Sequence, residues 1–323
     1  MSICLRIVVD LDVVQSCSGF LSICLRIVVD LDVVQPCPIR LAPKRTLKVN
    51  GIVNGIAQLR DMLFVVCDGQ NTIFIFQLSD TTASDQVTVD ELKNPSDIAA
   101  DELNECIYIT DEHSMCVWKL DVSNLPRTAK KCWQIEKHLY TLYAGSGITL
   151  LLTKINGNKI SAFDNHGRCH QIKLFKNTEA MHAVQKLNGN VIVTYKTRIF
   201  GGSDEDVQWF VSEYNVTQTE INFSGPQSGP VRYNKYMTVI REGNVDIAIL
   251  LADGDTNTVF CLGPTLRIND YSNSQLIKLP HPPNRILYIE KFKELMIGQR
   301  NGTVSVYSVN CSDTYHETDT SYV

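Results

Sequence analysis

The sequence predicts an all-β fold, a six-bladed β-propeller whose ring is closed by an N-terminal strand completing the last blade. Three observations predict it. Strand–turn–strand units recur along most of the chain, they are spaced as propeller blades are spaced, and helical periodicity is nearly absent.

The N-terminus stands apart from this pattern. Residues 2–15, "SICLRIVVDLDVVQ", recur unchanged at 22–35 with a period of 20 residues, and Cys17 and Cys37 extend the copy. Identity at every position marks a recent duplication or a gene-model error, in contrast to the diverged units downstream. The alternating "RIVVDLDVV" has the pattern of a strand, and two copies can pair as a hairpin. The "PCPIRLAPKR" that follows, with Pro36, Pro38 and Pro43, reads as a linker. Residues 1–44 are therefore assigned to a duplicated segment and linker, 45–310 to the propeller and 311–323 to a polar tail.

Each propeller unit begins from a hairpin of β-branched and aromatic runs around a loop rich in Asp, Asn and Gly. These are "LFVVCDGQNTIFIF" (63–76), "CIYITDEHSMCVWKL" (106–120), "LLLTKINGNKISAF" (150–163), "ILLADGDTNTVFCL" (249–262) and "LMIGQRNGTVSVY" (295–307), with a looser member at 190–214. From Ile73 through Cys116, Ile160, Val207 and Val259 to Val304 the five intervals span 231 residues, about 46 each. Blade two is the most complete, with "PSDIAAD" as innermost strand and "KKCWQI" as outer edge. The last unit stops after "TVSVYSV", and "RTLKVNG" (45–51) is positioned to supply its missing fourth strand, so that no sheet edge is left open.

"VVCDGQNTIFIF" and "LLADGDTNTVFCL" resemble the NHL repeat of six-bladed propellers, in which an apolar strand ends in Asp and a short turn carries Asn. Asp68 with Asn71, and Asp253 with Asn257, occupy those places; blade two keeps Asp111 but has Ser114 where Asn is expected. Thr72 and Thr258 stand where the family has a basic residue. The resemblance implies that these Asp and Asn residues stitch blade turns by side-chain to backbone bonds, and that the propeller is a platform for protein or RNA. No Cys/His array with RING or B-box spacing accompanies it.

A formal net charge of −5 argues against a surface built throughout to neutralise phosphates. A protein partner is the first expectation and RNA the second. A lactonase-type metal-dependent hydrolase is third, because "VNGIAQL" stands where that type would have Glu-Gly-Pro. No enzymatic activity, cofactor, metal or membrane partner is expected.

The cluster Asp111, Glu112 and His113 reads as a turn whose side chains point apart toward water, not as a catalytic group. "HGRCH" (166–170) offers too few ligands for structural zinc. "RTAKK" (127–131) is too short a basic stretch to imply RNA. The long tip holding Asp204, Glu205, Asp206 and Trp209 is the candidate binding loop.

The eleven cysteines lack the spacing of a disulfide framework and read as buried thiols. A cytoplasmic home follows by default, although the sequons at Asn215, Asn222, Asn301 and Asn310 point the other way.

Overall fold

The computed structural model describes residues 3–15, 21–33, 39–79, 83–123, 129–134, 139–145, 148–154, 159–163, 169–173, 178–198, 207–216, 221–227, 236–263 and 274–311. Strands β1 (Ile3–Gln15) and β2 (Leu21–Val33) form a separate two-stranded antiparallel sheet. The duplicated copies pair with each other, Arg6 opposite Asp30 and Asp10 opposite Arg26. β3 (Ile39–Lys48) follows.

Five blades are each built from four consecutive strands, the first from β4 (Val53–Leu59), β5 (Met62–Cys67), β6 (Thr72–Gln77) and β7 (Ala83–Thr88). The second uses β8 (Pro95–Asp101), β9 (Cys106–Asp111), β10 (Cys116–Asp121) and β11 (Ala129–Gln134). The third has β12 (Leu139–Gly145), β13 (Ile148–Lys154), β14 (Lys159–Phe163) and β15 (Cys169–Lys173). In the fourth come β16 (Thr178–Gln185), β17 (Val191–Arg198), β18 (Val207–Val216) and β19 (Ile221–Gln227). The fifth contains β20 (Tyr236–Glu242), β21 (Val245–Asp253), β22 (Thr258–Leu262) and β23 (Ser274–Lys278).

The remaining four-stranded sheet is composite. β24 (Pro283–Ile289), β25 (Glu294–Gln299) and β26 (Thr303–Cys311) are completed at the outer edge by β3. The propeller architecture is thus present, but the blades of consecutive strands number five, not the six expected. The outer edge of β26 is paired by β3, from far back along the chain.

The first strand of each sheet faces the axis. β4, β8, β12, β16, β20 and β24 touch one another in that order, and β24 returns to β4. Second strands β5, β9, β21 and β25 are packed between neighbouring sheets and are largely apolar on both faces. Leu63, Phe64, Val65 and Val66 are all fully buried, which is why "LFVV" does not alternate. One apolar cluster joins blades one and two through Phe64, Ile98 and Ile107, and another joins blade five to the composite sheet through Leu250, Ile286 and Leu295. Glycine permits the closest approaches: a Cβ on Gly55 would lie 2.7 Å from the backbone N of Ile98, and one on Gly298 2.5 Å from Val53 Cγ1.

β3 begins at Ile39, inside the stretch read as linker. Pro43 is tolerated because β3 is an edge strand and Pro43 sits at a bulge opposite Tyr307. Ile39 and Leu47 are buried. The Arg45 guanidinium donates two parallel bonds to Glu294, Nη1 to Oε1 at 2.9 Å and Nη2 to Oε2 at 2.8 Å, and Nη2 also reaches the Leu78 carbonyl of blade one at 3.1 Å. Lys44 adds an ion pair to the same carboxylate from a half-exposed position.

This clasp makes a differential prediction. Glu294→Ala strands Arg45 without its buried partner and lowers unfolding stability by about 3 kcal/mol. Lys44→Ala removes a solvent-facing charge and costs less than about 1 kcal/mol. Urea unfolding of both variants checks this, and equal losses would mean that the clasp does not hold the ends.

Candidate functional site

A recurring backbone irregularity shapes the axis. The pairing of first and second strands skips one residue between Val53 and Gly55, Pro95 and Asp97, Leu139 and Thr141, Ala180 and His182, and Pro283 and Arg285. Such bulges re-aim the side chain that follows them. Here they bring Asp97, His182 and Arg285 to the wall of one central cavity.

Arg285 crosses the axis. Its Nε donates to Asp97 Oδ1 at 3.1 Å, its Nη1 to the Asn284 carbonyl at 2.9 Å, and its Nη2 to the Ser96 carbonyl at 2.5 Å. The guanidinium stacks 3.6 Å from the centroid of the Tyr236 ring, and Tyr236 meets His182 edge-on with centroids 5.7 Å apart. Asp97 also accepts from the N–H of Leu142 at 2.8 Å and of Ile98 at 2.9 Å. His182 Nδ1 accepts from the N–H of Met237 at 3.4 Å. Residues of blades two to five and of the composite sheet thus meet in one network.

Asp97 and Arg285 are both fully buried. Burial pushes the Asp97 carboxyl up against the pull of Arg285 and the two N–H groups, and burial lowers Arg285 against the pull of Asp97. Neither charge would persist there without the other.

Above this floor lies a cavity of about 1120 Å³, walled by the inner strands and open where they end. Its rim is laced by contacts between neighbouring sheets. Arg60 pairs with Glu105, Lys291 with Asp61 at 2.6 Å, and Lys293 with Glu242 at 2.6 Å. Arg241 holds Asp246 at 3.0 Å, whose other oxygen takes the N–H of Leu187 at 3.1 Å. The hydroxyl of Tyr288 donates to the Arg241 carbonyl at 3.2 Å, and that of Tyr143 to the Gln185 carbonyl at 3.4 Å.

The most exposed large apolar side chains among the described residues crown this same end: Leu103 at 79%, Val245 at 61% and Leu187 at 46%. Each belongs to the turn region after an inner strand. Glu102 and Glu290 are also exposed there.

The sequence-predicted turn residues fall in distinct settings. Asp111 is fully buried, not turned to water as the sequence suggested. Its Oδ1 accepts from the N–H of Asn94, His113 and Ser114, and its Oδ2 from the N–H of Lys93 and the Ser114 hydroxyl. His113 is exposed, so the Asp-Glu-His triplet does not converge.

Asp253 is equally buried and takes the N–H of Asp255 and Thr256 and the Thr256 hydroxyl. Thr256 is therefore the counterpart of Ser114. Asn257, with φ +55°, matches Met115 at +48° and supplies the left-handed turn position. Asp68 is exposed and accepts from Asn54 Nδ2 at 3.1 Å. Cys67 fills the buried strand-end position in blade one, and burial pushes its thiol up to about 12. Asn71 contributes its carbonyl to the N–H of Val89 and accepts the Thr72 hydroxyl at 3.5 Å.

Asp204, Glu205 and Asp206 of the candidate binding loop lie outside the described residues, and Trp209 is placed by its backbone in β18, opposite Lys196. His166 also lies outside them, while the backbones of Cys169 and His170 fall in β15. Of "RTAKK", Lys130 and Lys131 are exposed on β11, the latter 5.6 Å above the Trp118 ring. Cys67, Cys106 and Cys116 are buried thiols, as the sequence suggested, but Cys261 is disulfide-bonded. Cys132 is exposed and Cys311 half-buried, both free, so the buried-thiol expectation does not hold for them.

Among the described residues no cluster of three or more His, Cys, Asp or Glu side chains is placed to hold a metal ion, and no helix is long and apolar enough to cross a membrane. No family model matches the chain, and no curated protein matches it either.

Sequence reasoning missed Asp97, His182 and Arg285. A signal was present: "PSD" opening β8 and "PNR" opening β24 place opposite charges at the same blade position.

Two predictions follow from these burials. Asp97→Ala strands Arg285 and lowers stability by about 3–5 kcal/mol, whereas Asp97→Leu combined with Arg285→Met recovers most of that loss; urea unfolding of the two variants distinguishes a strut from two independent residues. For Asp111, burial pushes the carboxyl up, but the Ser114 hydroxyl and the surrounding N–H donors outweigh it and hold the group below its ordinary 3.8. A depressed carboxylate stabilises the fold above its unfolded value and loses that contribution as pH falls through the folded one. Asp111→Asn therefore costs about 2 kcal/mol at neutral pH, and its stability declines less steeply than wild type below about pH 4. Thermal unfolding across pH tests both halves.

Proposed function

We propose that this chain is a non-enzymatic binding scaffold that offers the open end of its ring to a protein partner. Counting the composite sheet as a blade gives the six-bladed, NHL-like ring that the turn motifs suggest, and this is the reading we adopt. One observation carries the function: Leu103 and Leu187 stand exposed on the lip of a concave mouth, and Val245 stands exposed beside the β20–β21 turn at the same end. Large apolar side chains gathered at one place on a soluble surface mark a contact site, whereas scattered ones do not. Ile52 and Met115, at 38% and 37%, lie toward the opposite end and serve as controls.

The test is a lysate pull-down on the purified full chain, with and without RNase. Wild type and an Ile52→Ser/Met115→Ser control retain the same RNase-resistant proteins, and Leu103→Ser/Leu187→Ser loses them. Binding abolished by RNase would replace the protein partner with RNA, and retention by the Leu103/Leu187 variant would move the site elsewhere.

A further inference from the structure

We propose that the mouth receives a basic segment of the partner, a lysine or arginine flanked by a large apolar side chain, with the cationic head entering the cavity. This deepens the scaffold reading and rests on it.

The argument is one of charge. Of the five cations that line the cavity, the four above the floor each already have a carboxylate: Arg60 has Glu105, Lys186 has Glu213 at 3.1 Å, Arg241 has Asp246, and Lys291 has Asp61. Three further lining carboxylates, Asp101, Glu102 and Glu290, have no ion-pair partner among the described residues. Asp101 is oriented by Asn104, whose N–H and Nδ2 donate to it at 3.0 and 2.7 Å, and Glu102 and Glu290 are exposed. At the floor, Asp97 is neutralised by Arg285. The mouth therefore carries an uncompensated negative charge in a concave, partly apolar setting, where field lines concentrate.

The same residues supply the apolar half of the recognition. Leu103 adjoins Glu102 in one turn, and Leu187 faces the cavity from blade four. Tyr143 and Tyr288 contribute aromatic surface to the wall, with hydroxyls already engaged by backbone carbonyls. A long cationic side chain suits such a wall, laying its methylene stem on apolar and aromatic surface while its head meets carboxylate. An acidic segment would meet the three uncompensated carboxylates instead.

The experiment pans a phage-displayed random peptide library against the full chain, then measures selected peptides by fluorescence anisotropy. Enriched sequences place Lys or Arg beside Leu, Ile or Phe, and their Kd weakens about tenfold or more with Glu102→Lys or Leu103→Ser. Raising salt weakens them further, while Ile52→Ser leaves them unchanged. Both mouth variants are surface changes, and their thermal unfolding matches wild type. Enrichment of acidic sequences, no enrichment, or binding indifferent to both variants overturns the inference. Any of these combined with RNase-resistant, Leu103-dependent protein capture leaves the scaffold reading standing; loss of that capture sinks the scaffold reading itself.

Discussion

The centre of the ring depends on Arg285 reaching across the axis to Asp97. A propeller's inner strands converge on a space that neighbouring blades cannot fill with backbone, and something must occupy it. Here the occupant is an ion pair hydrogen-bonded on both sides: two backbone carbonyls and a carboxylate on the arginine, two backbone N–H groups beside it on the aspartate. Such a pair adds little net stability over an apolar plug of the same shape. What it supplies is specificity, since each bond requires a particular sheet to stand at a particular distance.

The clasp between β3 and β26 solves a different problem with the same chemistry. The strut fixes sheets relative to one another across the axis, while Arg45 and Glu294 fix the two ends of the chain at the periphery. Both rely on guanidinium geometry, which presents several donors in a rigid plane and so reports on orientation as well as charge. The Leu78 carbonyl, reached by the same guanidinium, ties the composite sheet to blade one. Without that arrangement β26 would be an exposed edge strand, open to pairing with other chains.

The fold was legible because second strands are sandwiched between neighbours and so write continuous apolar runs, and because turns recur at blade spacing. Where chemistry overrode pattern, the reading slipped. Asp68 and Asp111 look alike in sequence, each following an apolar run, yet the strand ends one residue earlier in blade one. Cys67 takes the buried place and Asp68 falls outside. Asn257 looked like a stitching residue, but the stitch is made by Thr256, and Asn257 is there for its tolerance of positive φ. The strut was hidden because its two members lie 188 positions apart, and no local pattern pairs them. Leu103 was passed over because a lone leucine among acids reads as ordinary loop; only the ring brings it and Leu187 to the lip of one cavity.

The strut also divides the molecule into two unlike ends. Where the inner strands begin, Asn284 bonds to Val53 and Asn54, and Asn54 to Pro95, so these two amides are satisfied between neighbouring sheets. Where the strands finish, the axis widens into the cavity, and ion pairs between sheets hold its rim. Each rim pair is weak alone, yet together they fix the turns bearing Leu103, Leu187 and Val245. A partner meeting a rim already ordered loses less conformational freedom on binding than one that must order the loops it touches. The ion pairs that order the rim lie at the mouth itself, so a partner docking there, as proposed, would meet turns already held in place.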